Sequence, residues 1–232
     1  MKPSRPFLLL KFSKSIEHLT ALRDHGLVYM NTLEYFRQLE EKHGSEDDDQ
    51  IGDKFEGSSR IWQPEQTELN FDFIGFQRLK VKTPDLAGVV TLHPHNFSAF
   101  NVFCNTSVVL SAIAGNIQIS EEKCKLGKWV LLLNPKPFSD RLEAATKAAN
   151  YRLHSNFVDY RDYAVHSGPT GPFLKSNKFK HQDEFRFIVD RDIMTCEPFK
   201  LVVGSLKDIS QILPTEQVNE LTYKLPEDSI GP

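Results

Sequence analysis

Apolar residues in this chain occur in short runs of strand length, and this feature most narrows the folds that it can adopt. Residues 7–12 (Phe-Leu-Leu-Leu-Lys-Phe) and residues 128–133 are the clearest of these runs. An apolar run of about four to eight residues is typical of a buried strand and is short for a helix. Further strand candidates are residues 27–30, 89–92, 100–104, 184–189 and 201–203.

Helix signals lie between these strand candidates. Ser15 precedes four apolar residues at helical spacing, at positions 16, 19, 21 and 22, and Gly26 is a typical helix terminator. A capping-box pattern at Asp140 predicts a helix over 140–150, and residues 205–212 predict a short helix near the end. Strands and helices together predict an α+β fold with a mixed or antiparallel sheet and short flanking helices.

Length and composition favour one domain. The chain has 232 residues, of which 40% are hydrophobic and 25% charged, and these are ordinary values for a globular protein. No linker is evident at mid-chain, so we predict a single domain over 1–232. Residues 44–57 carry six acids and few apolar side chains, and they predict a mobile acidic loop.

Charge and cysteine usage indicate the environment of the protein. A net charge of −3 argues against a uniformly basic, nucleic-acid-binding surface, although it leaves a local basic groove open. The cysteines Cys104, Cys124 and Cys196 are odd in number and form no Cys-x-x-Cys pair, which is typical of a reducing compartment. The apolar runs are too short to span a membrane. We therefore expect a cytoplasmic protein without a membrane partner.

The most informative candidate site lies in residues 175–189, where polar residues lead into a predicted strand. Gln182 and Glu184 are two residues apart, so both point to one face if the chain is extended. A carboxylate beside an amide can bind sugar hydroxyls or stabilise a cationic transition state, and Lys178 and Arg186 can bind phosphate or a charged target. The alternative is a polar loop leading into an edge strand, with Glu184 and Arg186 solvated.

A second candidate site lies in residues 26–37, where a predicted strand runs into a helix. The ring of Tyr29 or Tyr35 can stack on a base or on nicotinamide. Thr32 can contact phosphate at the helix N-terminus, where backbone N–H groups converge. The alternative is that Thr32 caps the helix and that the tyrosines belong to the core.

Four segments carry a resemblance to known proteins. The first strand ends in Lys-Phe, and Gly-x-x-Tyr-Met-Asn-Thr-Leu-Glu-Tyr-Phe-Arg follows the first helix. The acidic segment ends in Phe-Glu-Gly, and Phe-Lys-His-Gln-x-Glu-Phe-Arg-Phe comes late in the chain. These segments resemble a family of uncharacterised bacterial and phage-associated proteins, and their layout is similar to that of the ADP-ribosyltransferase superfamily. A Ser-Thr-Ser motif of that superfamily is not evident, unless residues 105–107 (Asn-Thr-Ser) serve.

This resemblance implies a split sheet that binds NAD as a substrate, without a metal. Glu184 is then the catalytic glutamate, and Gln182 helps to select the acceptor. Tyr29 or Tyr35 packs on nicotinamide, and Lys11 takes the position on the first strand that normally carries Arg or His. Cleavage of the nicotinamide–ribose bond builds positive charge on the sugar, so a nearby carboxylate stabilises the transition state.

The leading hypothesis is therefore an NAD-dependent ADP-ribosyltransferase-like toxin or phage-defence effector. Its acceptor is expected to be a nucleic acid or a protein, and an antitoxin or inhibitor is a further expected partner. One alternative is a non-catalytic interaction module whose acidic loop binds a basic partner. Another is a metal-dependent nuclease with Asp53, Glu56 and Glu184 around Mg²⁺ and Lys178 assisting. Motifs of P-loop NTPases, serine hydrolases and Rossmann proteins do not occur.

Overall fold

A computed structural model of the chain describes residues 6–43, 53–66, 69–71, 79–81, 88–94, 100–193, 195 and 197–226. Helices and antiparallel sheets both form, which confirms the predicted α+β class. The α-helices are α1 (Ile16–His25), α2 (Leu33–His43), α3 (Glu121–Cys124) and α4 (Pro135–Ala148). Short 3-10 helices span Pro64–Gln66, Asn177–Gln182 and Thr215–Glu220.

The strands fall into one large sheet and several small ones. In chain order they are β1 (Phe7–Ser13), β2 (Leu27–Thr32), β3 (Arg60–Trp62), β4 (Leu69–Phe71), β5 (Leu79–Val81), β6 (Val90–Leu92), β7 (Asn101–Val109), β8 (Ala114–Asn116), β9 (Trp129–Leu133), β10 (Arg152–Phe157), β11 (Asp159–Arg161), β12 (Gly168–Pro169), β13 (Leu174–Ser176), β14 (Glu184–Asp190), β15 (Phe199–Val202), β16 (Ser210–Pro214) and β17 (Thr222–Lys224).

The large sheet contains eight of the described strands, each antiparallel to its neighbours. Its main path runs β10–β14–β7–β1–β9–β16, and β2 connects β7 to β15. The small sheets pair β11 with β13, β17 with β8, β4 with β5, and β3 with both β12 and β6. The β11–β13 pair is parallel.

Two strands share one edge of β7, and the large sheet opens between them. β1 pairs with residues 106–109 of β7, whereas β2 pairs only with residues 101 and 102. On the opposite edge, β14 pairs with β7 continuously over residues 101–106. The pairing of β1 with β7 ends at Leu10, whereas its pairing with β9 extends to Ser13. Beyond Leu10, β1 is therefore paired with β9 and not with β7. Residues 103–105 of β7 therefore face a gap between β1 and β2, and the sheet is split there.

The largest buried cluster lies on the face of the sheet that packs against α1 and α4, and two smaller clusters contain other sheet residues such as Leu10 and Val102. Leu9, Phe103 and Phe187 of the sheet pack with Leu22 of α1 and Phe138 of α4 in one buried cluster. Burial of such a side chain contributes roughly 1.5–3 kcal/mol to folding. None of the helices within the described ranges is long and apolar enough to cross a membrane.

Local sequence signals predict both ends of α1 but not the start of α4. Ser15 accepts a hydrogen bond from the backbone N–H of His18, and Gly26 ends α1 in the left-handed region, both as predicted. Helix α4 begins at Pro135 rather than at 140, since proline is well accommodated in the first turn of a helix. Residues 205–212 were wrongly predicted as a helix, because β9 pairs with Ser210–Pro214 as a strand.

Gly26 is a position where an added methyl group has two separate costs. Its φ is +63°, and a Cβ there would lie 1.9 Å from the backbone oxygen of Gly204. We expect Gly26→Ala to lower the free energy of unfolding by about 2–4 kcal/mol, through strain in φ and overpacking. Urea unfolding measures this value. The control is Gly88→Ala, because no atom lies within 4 Å of its Cβ position. Equal stability of the two variants would contradict the close packing at Gly26.

Candidate functional site

The residues of the late polar segment are buried in the middle of the sheet. β14 lies between β10 and β7, so it is an interior strand rather than an edge strand. Glu184 is 7% exposed and Arg186 is 1% exposed. The alternative that both side chains are solvated on an edge strand is therefore wrong. Because a buried charge needs a partner, Glu184 and Arg186 each require a counterion nearby.

Four charged side chains form a buried network. Arg186 donates from Nε to Glu184 at 2.7 Å, and from its two terminal nitrogens to Glu56 at 3.0 and 2.6 Å. Lys175 donates to the other oxygen of Glu184 at 2.6 Å. Arg186 also donates to the carbonyl of Pro172 at 2.7 Å. The two acids and two cations are balanced in charge, so the network satisfies the condition for burying ionised groups.

Gln182 joins this network by a route that differs from the prediction. The chain is not extended there, because Gln182 ends a 3-10 helix and Asp183 has a φ of +43°. The Oε1 atom of Gln182 nevertheless accepts a hydrogen bond from Lys175 at 2.8 Å. Since Lys175 also binds Glu184, the side chains of Gln182 and Glu184 meet on one ammonium group. The backbone N–H of Glu184 donates to the hydroxyl of Tyr160 at 2.9 Å, which further fixes the start of β14.

Glu56 was predicted only as a metal ligand of the nuclease alternative and not as a partner of Arg186. It belongs to the segment that was predicted to be a mobile acidic loop, of which residues 44–52 lie outside the described part of the chain. Residues 53–57 form a turn in which Asp53 and Glu56 are both buried. Asp53 accepts from the backbone N–H groups of Phe55 and Ser176, at 3.0 and 2.9 Å. This turn thus places the Glu56 carboxylate against Arg186.

The network shifts the protonation equilibria of its members in different directions. Burial disfavours the charge of Glu184, but Arg186 and Lys175 outweigh it and lower the pKa of Glu184 well below the ordinary value. Burial raises the pKa of Glu56, and the neighbouring Asp53 adds to this effect. Burial next to Glu184 also raises the pKa of the Cys104 thiol to about 12. Cys104 is therefore not a thiolate nucleophile at neutral pH. Cys104 and Cys124 are free, as predicted.

Lys11 lies at the split of the sheet. Its ammonium group donates to the backbone carbonyl of Cys104 at 2.8 Å, which is a β7 carbonyl beside the gap. The same group lies 4.6 Å from the centre of the Phe103 ring. Burial lowers the pKa of Lys11, and Cys104 and Glu184 partly oppose this. Within the described residues, Lys11 forms no ion pair with an acid.

A cavity of about 660 Å³ occupies this split. We call it the main cavity. The buried network and Lys11 form one part of its wall, and Tyr29 and Lys200 form another. Tyr29 is 46% exposed, and the ammonium of Lys200 lies 5.9 Å from its ring centre. The volume lies within the range of about 300–1,000 Å³ that is usual for small-molecule sites. The polar residues that line it are Lys11, Ser13, His18, Tyr29, Asn31, Glu56, Lys175, Glu184, Arg186 and Lys200.

The structure brings together some of the predicted site residues and separates others. Lys11, Tyr29, Glu184 and Arg186 line the main cavity. Gln182 lines a smaller adjoining cavity instead. The remaining predicted residues are not among those that line either cavity, and these are Thr32, Tyr35 and Lys178.

Thr32, Tyr35 and Lys178 have local contacts that explain their positions. Thr32 caps α2, since its hydroxyl accepts from the backbone N–H of Tyr35 at 3.2 Å. Tyr35 is 43% exposed and its ring packs edge-on against Phe36, so the alternative that this tyrosine belongs to the core is wrong. Lys178 lies over the ring of Phe179 at 4.6 Å. Helix capping was the alternative interpretation of Thr32, and the hydrogen bond agrees with it.

The acids of the nuclease alternative are bound to other groups. Glu56 and Glu184 both pair with Arg186, and Asp53 binds backbone N–H groups. Among the residues that the structure describes, no group of three or more His, Cys, Asp or Glu side chains could hold a metal ion. A magnesium site at these acids would therefore require the buried ion pairs to break.

Comparison with protein families, curated proteins and solved structures gives no match for this chain. The chemistry of the site consequently rests on its own residues and their geometry.

Proposed function

We propose that the main cavity binds NAD and that the protein is an ADP-ribosyltransferase-like enzyme. The observation that carries this proposal is that Lys11, Tyr29 and Glu184 line one cavity in the split of the sheet. They belong to the separate strands β1, β2 and β14, so the fold brings them together and not their closeness in the sequence. NAD contains aromatic rings, ribose hydroxyls and a pyrophosphate, and these groups match Tyr29, Glu184 and Lys11 respectively.

The charge of the cavity favours an anionic ligand. Glu56, Glu184, Lys175 and Arg186 neutralise one another, so they leave no net charge. Lys11 and Lys200 are two further basic side chains of the wall, and neither has an acidic ion-pair partner in the described part of the chain. The doubly charged pyrophosphate of NAD would compensate both lysines. Because Glu184 and Arg186 in the wall are buried, electrostatic attraction in that part of the cavity would be stronger than it is in bulk water.

Glu184 has the properties that the reaction requires of a carboxylate. Its lowered pKa keeps it ionised at neutral pH, and each of its oxygens accepts one hydrogen bond from a cation. A carboxylate oxygen has a second lone pair, so it can also accept a ribose hydroxyl. When the bond from ribose C1′ to nicotinamide breaks, nicotinamide leaves with the electron pair and C1′ becomes cationic. Glu184 would stabilise this charge until the acceptor nucleophile bonds to C1′ and releases its proton.

The biological setting belongs to the same proposal. The acceptor would be a nucleic acid or a protein, and the enzyme would act as a toxin or phage-defence effector, with an antitoxin as its control. The lining of the main cavity does not include Thr32, Tyr35 or Lys178. It therefore gives no support to phosphate contacts by Thr32 or Lys178, or to stacking by Tyr35. Tyr29 is the tyrosine that lines it, so the stacking role is assigned to Tyr29.

Titration calorimetry with NAD tests the binding part of this proposal. We expect Lys11→Met to weaken NAD binding about 10- to 100-fold, because a charged hydrogen bond to phosphate is lost. The difference in NAD affinity between the wild type and Lys11→Met should also become smaller as salt is added. The control is Lys125→Met, because Lys125 is exposed and lines neither cavity. Unchanged affinity in the Lys11 variant, or no binding to the wild type, would contradict the proposal.

A non-catalytic NAD-binding module is the second candidate function. The observation that favours it is the low exposure of Glu184, whose two oxygens are already bound to Lys175 and Arg186. Such a module would bind NAD in the same cavity but would not release nicotinamide. Chromatographic detection of free nicotinamide after incubation with NAD distinguishes the two functions.

A further inference from the structure

Lys11 has an unusual position for a lysine, because its side chain lines both the main cavity and the smaller adjoining cavity. Its Nζ atom donates to the backbone carbonyl of Cys104 at 2.8 Å and lies 4.6 Å from the centre of the Phe103 ring. In the described part of the chain, no carboxylate pairs with it. Lys175 differs in this respect, since its ammonium group donates to Glu184 at 2.6 Å. Lys11 is thus a cavity lysine without an acidic counterion.

The surroundings of Lys11 favour its neutral amine form. Burial lowers the pKa of Lys11, and Cys104 and Glu184 partly oppose this effect. The other charged or titratable side chains of the main-cavity wall are His18, Tyr29, Glu56, Lys175, Arg186 and Lys200. The two carboxylates of this wall already share two other cations as counterions. Because burial disfavours the ammonium form, Lys11 has a larger neutral fraction at neutral pH than an exposed lysine.

A neutral amine in an apolar cavity is suited to attack a carbonyl carbon. Desolvation in a hydrophobic pocket is one way in which proteins activate lysine for imine formation. Phe12, Leu22 and Phe103 supply apolar surface in the wall of the main cavity. Its volume of about 660 Å³ gives room for a small organic molecule. An aldehyde or ketone with an apolar or aromatic body matches both the amine and these walls.

We propose that Lys11 is a nucleophile that binds a small apolar aldehyde or ketone covalently, as an imine. The Lys11 nitrogen attacks the carbonyl carbon, and a C=N bond replaces the C=O bond. Both hydrogens of the neutral amine leave with the carbonyl oxygen as water, and no oxidant or reductant takes part. This activity goes beyond the proposed reaction of NAD and does not rest on it. A bound pyrophosphate would favour the ammonium form of Lys11, so the two kinds of ligand exclude each other.

Reductive trapping on the wild-type protein is the first test. Benzaldehyde would be added at neutral pH with cyanoborohydride, which reduces the imine to a stable amine, and peptide mass spectrometry would locate the adduct. The reference is Lys125, because it is exposed and lines neither cavity. Lys11 should react at least about tenfold faster, since lowering the pKa by one unit raises the neutral fraction about tenfold at neutral pH. Equal rates at the two lysines would overturn the proposal.

Competitive acetylation with a trace of acetic anhydride tests the protonation state of Lys11 separately. The reagent acetylates neutral amines, so the rate at each lysine follows its neutral fraction as the pH is raised. A lowered pKa means that the ammonium form is lost at lower pH. The rate at Lys11 should therefore reach half of its maximum at a lower pH than the rate at Lys125. Coinciding pH profiles would overturn the proposal.

A polar aldehyde tests the class of ligand. With glyceraldehyde in place of benzaldehyde, the preference for Lys11 over Lys125 should fall at least about fivefold, because apolar walls bind a polar aldehyde less well. An unchanged preference would overturn the assignment of an apolar ligand.

Lys11→Met and Lys125→Met are the matched variants for the trapping experiment. Lys11→Met should remove most of the benzaldehyde adduct that forms at neutral pH, whereas Lys125→Met should leave it nearly unchanged. An unchanged total adduct in Lys11→Met would overturn the proposal. If this variant does not fold, the comparison of lysines within the wild type still decides the outcome.

Trapping and NAD calorimetry together separate this proposal from the proposed function. Selective trapping at Lys11 without NAD binding supports the carbonyl site and overturns the proposed function. NAD binding without selective trapping leaves the proposed function standing and overturns the carbonyl site.

Discussion

Replacement of Arg186 by Met is expected to lower the free energy of unfolding by about 3–5 kcal/mol, because two buried carboxylates lose their shared counterion. Arg186 binds both oxygens of Glu56 and one oxygen of Glu184, and it is almost fully buried. Methionine fills much of the same volume without charge or donors. Since a domain is stable by only about 5–15 kcal/mol, this one change removes a large share of the total. Urea unfolding at pH 7 measures it.

Arg152→Met is the matched control for this prediction. Arg152 also pairs with an acid of β14, Asp190, at 2.6 Å, but its side chain is 63% exposed. An exposed pair of this kind is worth about 0–1 kcal/mol. Equal losses in the two variants would contradict the account of the buried network. A double-mutant cycle that adds Glu56→Gln would show whether the loss of stability arises from the pair of Arg186 and Glu56. The effects of substitutions within one network are not additive, so the cycle is needed to isolate that pair.

Replacement of Glu184 by Gln is expected to lower the rate of nicotinamide release about 10²- to 10³-fold, because the charge that stabilises the cationic ribose is lost. The glutamine side chain has the same shape, and its oxygen can still accept from Lys175 or Arg186. We therefore expect NAD affinity to change far less than the rate. This pattern is typical of an interaction that matters mainly in the transition state. Chromatography of nicotinamide at saturating NAD measures the rate.

Glu143→Gln is the control for the charge change, since Glu143 is exposed on α4. Calorimetric melting of both variants would show that they are folded. A Glu184 variant that binds NAD and releases nicotinamide at the wild-type rate would exclude Glu184 as the catalytic carboxylate.

Local patterns in the sequence predicted those parts of the fold that depend on neighbouring residues. The strand at Phe7, the cap at Ser15 and the terminator at Gly26 all follow from chemistry within a few positions. The start of α4 at Pro135 was missed because a capping-box pattern at Asp140 competed with proline in the first turn. The strand at Ser210 was missed because its pairing with β9 is a long-range contact.

In the candidate site, too, some residues were predicted from the sequence, whereas others are placed by long-range contacts. Glu184 and Lys11 were identified from the sequence, and they line one cavity. The pairing of Glu56 with Arg186 was missed because nothing within the acidic segment distinguishes Glu56 from five other acids, whereas its burial depends on Arg186, 130 residues away. Lys200 was missed for a related reason, because only the pairing of β15 with β2 places it opposite Tyr29. Single-sequence patterns do not reveal such long-range pairings.

The most direct test of the central claim is the transfer of label from ³²P-NAD to cell lysate by the purified protein. The account predicts labelled products with the wild type and at least about 10²-fold less label with Glu184→Gln. Nuclease and protease digestion would then identify the acceptor class by the treatment that removes the label. No label with the wild type, together with no nicotinamide release and no NAD binding by calorimetry, would contradict the assignment of the main cavity as an NAD site.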